Sequence, residues 1–279
     1  MKQHLELSQQ IESLLVARDP RGMKIMQPAL EPGYCLRAAM LMEACNGTVI
    51  IATGFPVNGT FETDGPVGAV ALYQVLTMLG ATPILVCGKP LASAIQDDYR
   101  FHCMSLGEKG KAEAPQILNM YQPELMISIE LPGRAKDGKY YNMHGVDISD
   151  QVIFFDDMVK LAHCPTIGIG DGGNETGMGK IYGALSCLDI IPCATSCDEL
   201  VIADVSNWAA HGLIAMLSIL EGKNMQGEWN NRHYLEYFVE RGSVDGVTGE
   251  KTLTEDGFPC KVTESVIAEL QHIVESLLR

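Results

Sequence analysis

No apolar run is long enough to span a bilayer, and the amphipathic start, MKQHLELSQQIESLL, lacks the continuous apolar core of a signal peptide. A cytoplasmic protein with no membrane partner is therefore expected. Bases are scarce: 20 Lys and Arg stand against 35 Asp and Glu, a formal charge of −15. Such a surface disfavours nucleic acid and anionic lipid, although a local Arg or Lys can still hold a small anion. None of the nine cysteines forms CxxC, and their odd number argues against a fully paired disulfide framework. Buried free thiols are the plain expectation, with Cys193 and Cys197 alone close enough in sequence for a thiol site. HExxH, a close His pair and GxSxG are all missing, which leaves zinc and serine hydrolases without support. No repeat or low-complexity linker divides the chain.

What is present is 279 residues, 47% of them apolar, enough for one large α/β domain over 1–279. Buried strands are expected at 48–55, 82–87, 124–130, 165–170 and 199–205. Helices are expected at 4–16, 36–45, 66–80, 89–100, 114–122, 154–163, 177–188, 206–222 and 262–278. This alternation predicts a mostly parallel central sheet with helices on both faces. The stretch 222–260 is less regular and reads as an insertion or lid.

Sites in such sheets gather beyond the carboxyl ends of the strands. One strand runs into GIGDGGNETGMGK, residues 168–180, with six glycines. Gly168, Gly170 and Gly173 satisfy GxGxxG, and Asp189 lies near the distance of a ribose-binding acid. Yet Asp171 and Glu175 would repel a pyrophosphate unless a cation intervened. A P-loop lacks its GK[ST], because Ile181 follows Lys180. The loop can instead place Asp171, Asn174 and Glu175 around a polar ligand, with the amides of Gly172 and Gly173 facing a carboxylate. An Asp-Gly turn capping a helix is the plain alternative.

Three more loops reach the same edge. FETDGP carries Glu62 and Asp64; ELPGR carries Glu130 and Arg134; ADVSN carries Asp204 and Asn207. Arg134 can clamp a carboxylate in bidentate fashion, or form an ordinary surface ion pair. His144 lies in a nearby polar loop as an acid–base candidate, whereas His163 and His211 read as structural.

GIGDGGNETGMGK, with ETDGPVGA upstream and VSNWAAHG downstream, resembles the D-glutamate cyclase family, and the likeness runs from RDPRG to VDGVTG. Thr176 stands where a larger aliphatic residue is expected. In mitochondrial proteins of that family the related region forms the C-terminal part. The resemblance implies conversion of D-glutamate to 5-oxo-D-proline with loss of water. That lactamisation needs a base for the α-amine, an acid for the departing oxygen, cover for the oxyanion and anchors for both carboxylates. Asp171 and Glu175 are then the expected amine binder and base, with Glu62 or Asp64 sharing proton transfer; the opposite assignment, Glu62 as base and Glu175 as acid, is equally allowed. Arg134 and Lys180 are expected on the carboxylates, and Asn174, Asn207, Gly172, Gly173, Glu130 and Asp204 around the substrate. No cofactor is needed in that scheme, although Glu62, Asp64, Asp171 and Asp204 offer oxygen ligands to Mg or Mn. Two other readings stay open: a non-catalytic amino-acid or dicarboxylate-binding protein, and a nucleotide- or metal-dependent ligase or hydrolase. A homo-oligomer is allowed, but no interface signal is visible.

Overall fold

The computed structural model describes residues 2–278. Six strands form the central sheet: β1 (Thr48–Thr53), β2 (Thr82–Cys87), β3 (Phe101–Cys103), β4 (Leu125–Ile129), β5 (Thr166–Gly170) and β6 (Glu199–Ile202). Their spatial order is 3-2-1-4-5-6, and each pair of neighbours is parallel. The expected α/β sandwich is thus present, with a wholly parallel main sheet. Its central strands are mostly apolar because helices cover both faces.

The helices are α1 (Lys2–Leu15), α2 (Met23–Met26), α3 (Tyr34–Glu43), α4 (Pro66–Met78), α5 (Leu91–Ile95), α6 (Ala114–Tyr121), α7 (Phe155–Leu161), α8 (Ser206–Leu220), α9 (Asn231–Glu240) and α10 (Cys260–Leu278). Val49, Ile51, Leu85, Ile127 and Ile169 point into the larger core, which α1, α3, α4, α8 and α10 close. Ile50, Ala52, Ile84, Val86 and Met126 point the other way, onto α6 and α7 through Ile117 and Met158. Helix α8 is buried from Ser206 to Ile219, as a helix apolar on every side must be.

One expectation needs correction, and one strand was not expected. No α-helix follows the glycine-rich loop; Gly179–Ile181 and Ala184–Cys187 are short 3-10 turns. Strand β3 escapes the sequence pattern because three edge residues are too few to show a period. The stretch 222–260 holds α9 and a small hairpin, Thr254–Glu255 with Phe258–Pro259.

The strand order reverses between β1 and β4, the place where ligands settle in doubly wound sheets. Glu62 follows β1 and Glu130 follows β4. Gly65 lets the two segments meet there: its φ is 90°, and a Cβ would stand 2.7 Å from both Glu130 Cβ and Thr53 Oγ1.

Candidate functional site

A cavity of about 740 Å³ opens over this switch point. Arg21, Glu62, Glu130, Asn174 and Glu175 face it from the floor, and Gly246 to Gly249 close one side. Part of the irregular 222–260 stretch therefore walls the site.

Arg21 is the cation of the floor. Its Nη2 donates to Asp171 Oδ2 and to Asp256 Oδ2. Burial pulls the guanidinium's pKa down, but Asp171, Asp256, Glu130 and Glu175 outweigh it, and the net direction is up. A turn delivers the side chain: Asp204 Oδ2 accepts from Arg18 N at 2.7 Å and Oδ1 from Asp19 N at 3.0 Å. Asp204 thus stands behind the site and shapes the approach of Arg21, rather than facing the cavity.

The carboxylates divide by their partners. Glu62 is 4% exposed, and its carboxylate forms no hydrogen bond within the described residues. Burial raises its pKa well above the usual carboxylate range; Glu130, Asp256 and Asp64 raise it further, and Arg21 opposes them. Glu130 accepts from Ser206 Oγ at 2.7 Å and is likewise raised, by burial first and then by Glu175. Its backbone φ is 41°, a left-handed conformation that is rare outside glycine and aims the side chain off the strand end. Glu175 folds back onto its own loop, accepting from Gly172 N at 2.9 Å and Gly173 N at 2.8 Å. Those two amides are consequently occupied by a protein carboxylate, not free for a substrate one.

Asp64 and Asp171 lie one layer deeper. Asp64 Oδ1 accepts from Asn207 N at 2.7 Å and Oδ2 from Ser206 N at 2.8 Å, at the start of α8 where amides and dipole favour an anion. Asp171 is fully buried under Arg21, and its Oδ1 has no hydrogen-bond partner. Burial raises both pKa values. Asp64, Glu130 and Asp171 each offer an oxygen within 4.8 Å of the others.

Asn207 sits in the same buried layer, away from the cavity. Its Oδ1 accepts from Gly65 N and Gly68 N, and its Nδ2 donates to Thr63 O and to Glu255 Oε1. Asn174 faces the cavity and donates to Tyr141 O at 2.9 Å.

Two expected anchors lie elsewhere. Arg134 is paired with Asp157, Nη1 to Oδ1 at 2.6 Å and Nη2 to Oδ2 at 2.8 Å, and packs over Phe154. Lys180 donates to Asp198 O at 2.5 Å, beside the start of β6. The bidentate geometry expected of Arg134 is real, but its partner is Asp157. Arg21, Glu255 and Asp256 were not expected; Arg21 meets Asp171 and Asp256 across 150 and 235 residues, a pairing that leaves no local mark. His144 reaches the cavity rim, whereas His211 is buried with Nδ1 2.6 Å from Gln226 Nε2. All nine cysteines are free thiols. No helix among the described residues is long and apolar enough to cross a membrane.

A sequence family described as D-glutamate cyclase-like, C-terminal, matches residues 11–271. The human protein named "D-glutamate cyclase, mitochondrial" is 33% identical over 202 residues, which cover 62% of this chain and 33% of the human protein. The chain thus matches about a third of that relative's length.

Proposed function

The chain belongs to the D-glutamate cyclase-like family, and from that premise we propose that it closes D-glutamate into 5-oxo-D-proline, releasing water as a hydro-lyase. The observation that carries this reading is one guanidinium set among buried carboxylates of raised pKa at the floor of a single cavity.

Lactamisation starts from an ammonium group that must give up a proton. Glu62 faces the cavity without a side-chain hydrogen-bond partner, and in its ionised form the raised pKa makes it a stronger proton acceptor than an ordinary carboxylate. The freed amine then attacks the γ-carbon: the ring C–N bond forms, the nitrogen gives up a second proton, a C–O bond breaks, and the departing oxygen, having taken two protons in all, leaves as water. Glu130, oriented by Ser206, is the acid in this scheme. Arg21 takes the α-carboxylate in place of Arg134 and Lys180. Asp171 and Asp256 position Arg21 from below, Glu175 presents a fixed acceptor to the ammonium, and Asn174 orients the substrate from the wall.

A second reading adds a divalent ion. The juxtaposed oxygens of Asp64, Glu130 and Asp171, with Asp171 Oδ1 lacking a partner, fit a hard cation such as Mg or Mn. Such an ion would polarise the γ-carboxylate.

A chiral product assay on the purified protein tests both readings, run with a chelator and with added Mg or Mn. Formation of 5-oxo-D-proline is expected. Saturable binding of D-glutamate with no turnover in any condition would leave a binding protein, and strict dependence on added nucleotide would move the reading to a ligase.

A further inference from the structure

The cavity is far from uniform. Its buried floor is charged, but above it Val57, Val146, Ile148, Leu188, Ile190 and Val247 contribute an aliphatic surface, interrupted by polar side chains such as Asn142 and Asp189. Val146 and Val247 are 55% and 53% exposed, so the aliphatic wall continues into an apolar rim. At about 740 Å³ the space lies within the range that encloses drug-sized ligands, and a free amino acid fills a small part of it.

Charge points the same way. D-glutamate brings two carboxylates, yet Arg21 is the one permanent cation of the cavity lining, which holds no lysine and whose single histidine, His144, stands at the rim. The backbone amides of Gly172 and Gly173 already hold Glu175. One substrate carboxylate has a cationic partner; a second would face Glu62, Glu130 and Glu175.

We infer that the site takes γ-N-alkylamides of glutamate, seating the alkyl group on the aliphatic wall and expelling an alkylamine where D-glutamate expels water. The inference rests on the lactamisation reading and widens its substrate class. A γ-alkylamide keeps the ammonium and the α-carboxylate, and replaces the second carboxylate by a neutral carbonyl, a better electrophile. The step balances without a co-reactant: the α-ammonium loses one proton to the base, the nitrogen bonds to the γ-carbon and loses a second, the exocyclic C–N bond breaks, and the departing nitrogen takes both protons, so the amine leaves in its protonated form. The products are 5-oxoproline and a primary amine.

The test compares D-glutamate, D-glutamate γ-methylamide and D-glutamate γ-n-butylamide with the purified full chain, following 5-oxoproline and released amine. The methylamide is expected at least to match D-glutamate in kcat/KM, and the butylamide to exceed the methylamide about thirtyfold, about threefold for each of the three added methylenes. Val247→Asp, at an exposed rim position that a polar side chain tolerates, is expected to bring the butyl-to-methyl ratio close to one. Turnover of D-glutamate with neither amide processed overturns the inference and leaves the lactamisation reading intact. Turnover of none of the three overturns both. Amide turnover indifferent to chain length and to Val247→Asp overturns the aliphatic seat.

Discussion

Glu62 and Gly246 belong together at the scale of single residues. A Cβ on Gly246 would stand 1.8 Å from Glu62 Oε2, so only glycine leaves room for that carboxylate. Glu62→Gln removes the proton acceptor while keeping its shape, and kcat is expected to fall about 10²–10⁴-fold. Gly246→Ala displaces the same carboxylate without changing it; circular dichroism should stay native while kcat drops by about tenfold or more. If either variant keeps full turnover, Glu62 is not the base. The acids of the site were legible in the sequence because each follows a strand: Glu62, Glu130, Asp171 and Glu175 all reach the cavity floor or the layer beneath it. Arg21 was not, because a basic residue in the turn RDPRG carries no sign of a partner more than a hundred residues away. Arg134 misled for the same reason, since its partner Asp157 lies on α7, which no local pattern places beside it.

Helix α8 shows what an element contributes beyond its residues. Its N-terminus is tied to the start of α4 through Asn207, which serves four buried partners, and through Asp64 on the amides of Ser206 and Asn207. Asn207→Ala takes a partner from Gly68 N, Thr63 O and Glu255 Oε1, while Gly65 N keeps Asp64 Oδ1 at 2.9 Å. A loss of about 2–4 kcal/mol is expected in urea unfolding, because buried orphans cost more than the bond itself. Asp204→Ala acts on a different element, the turn that carries Arg21. Its effect should fall on substrate capture: KM is expected to rise about tenfold with a smaller change in kcat. The main strands and helices were readable from continuous apolar runs and 3.6-residue spacing. The helix expected after the glycine-rich loop was not formed, because Gly177, Gly179 and Gly183 give the backbone freedom that a helix must restrict, and 3-10 turns suffice.

For the whole molecule, the buried site and the buried core histidine set opposite limits on pH. Burial raises the folded-state pKa of Glu62, Asp64, Glu130 and Asp171. The folded chain then keeps protons that the unfolded chain has released. Stability from these groups is full below the ordinary carboxylate range and is lost as pH rises through their raised values. His211 works the other way: burial lowers its pKa from 6.5 to about 3, with Asn231 opposing in part. Between those values the unfolded chain takes a proton that the folded chain refuses, so this contribution is lost as pH falls from 6.5 toward about 3. Maximal stability is therefore expected on the mildly acidic side of neutrality, with a decline toward alkaline pH. Urea unfolding at about pH 6, 7.5 and 9 measures that decline, and Glu62→Gln should make it shallower by removing one buried titrating group. Surface repulsion from a net charge of −15 also grows with pH, but Glu62 is buried, so the difference between the two proteins isolates the site. Parallel curves for the wild type and Glu62→Gln would mean that Glu62 is ionised in the folded chain much as in the unfolded one, and the alkaline decline would then have to come from Asp64, Glu130 and Asp171.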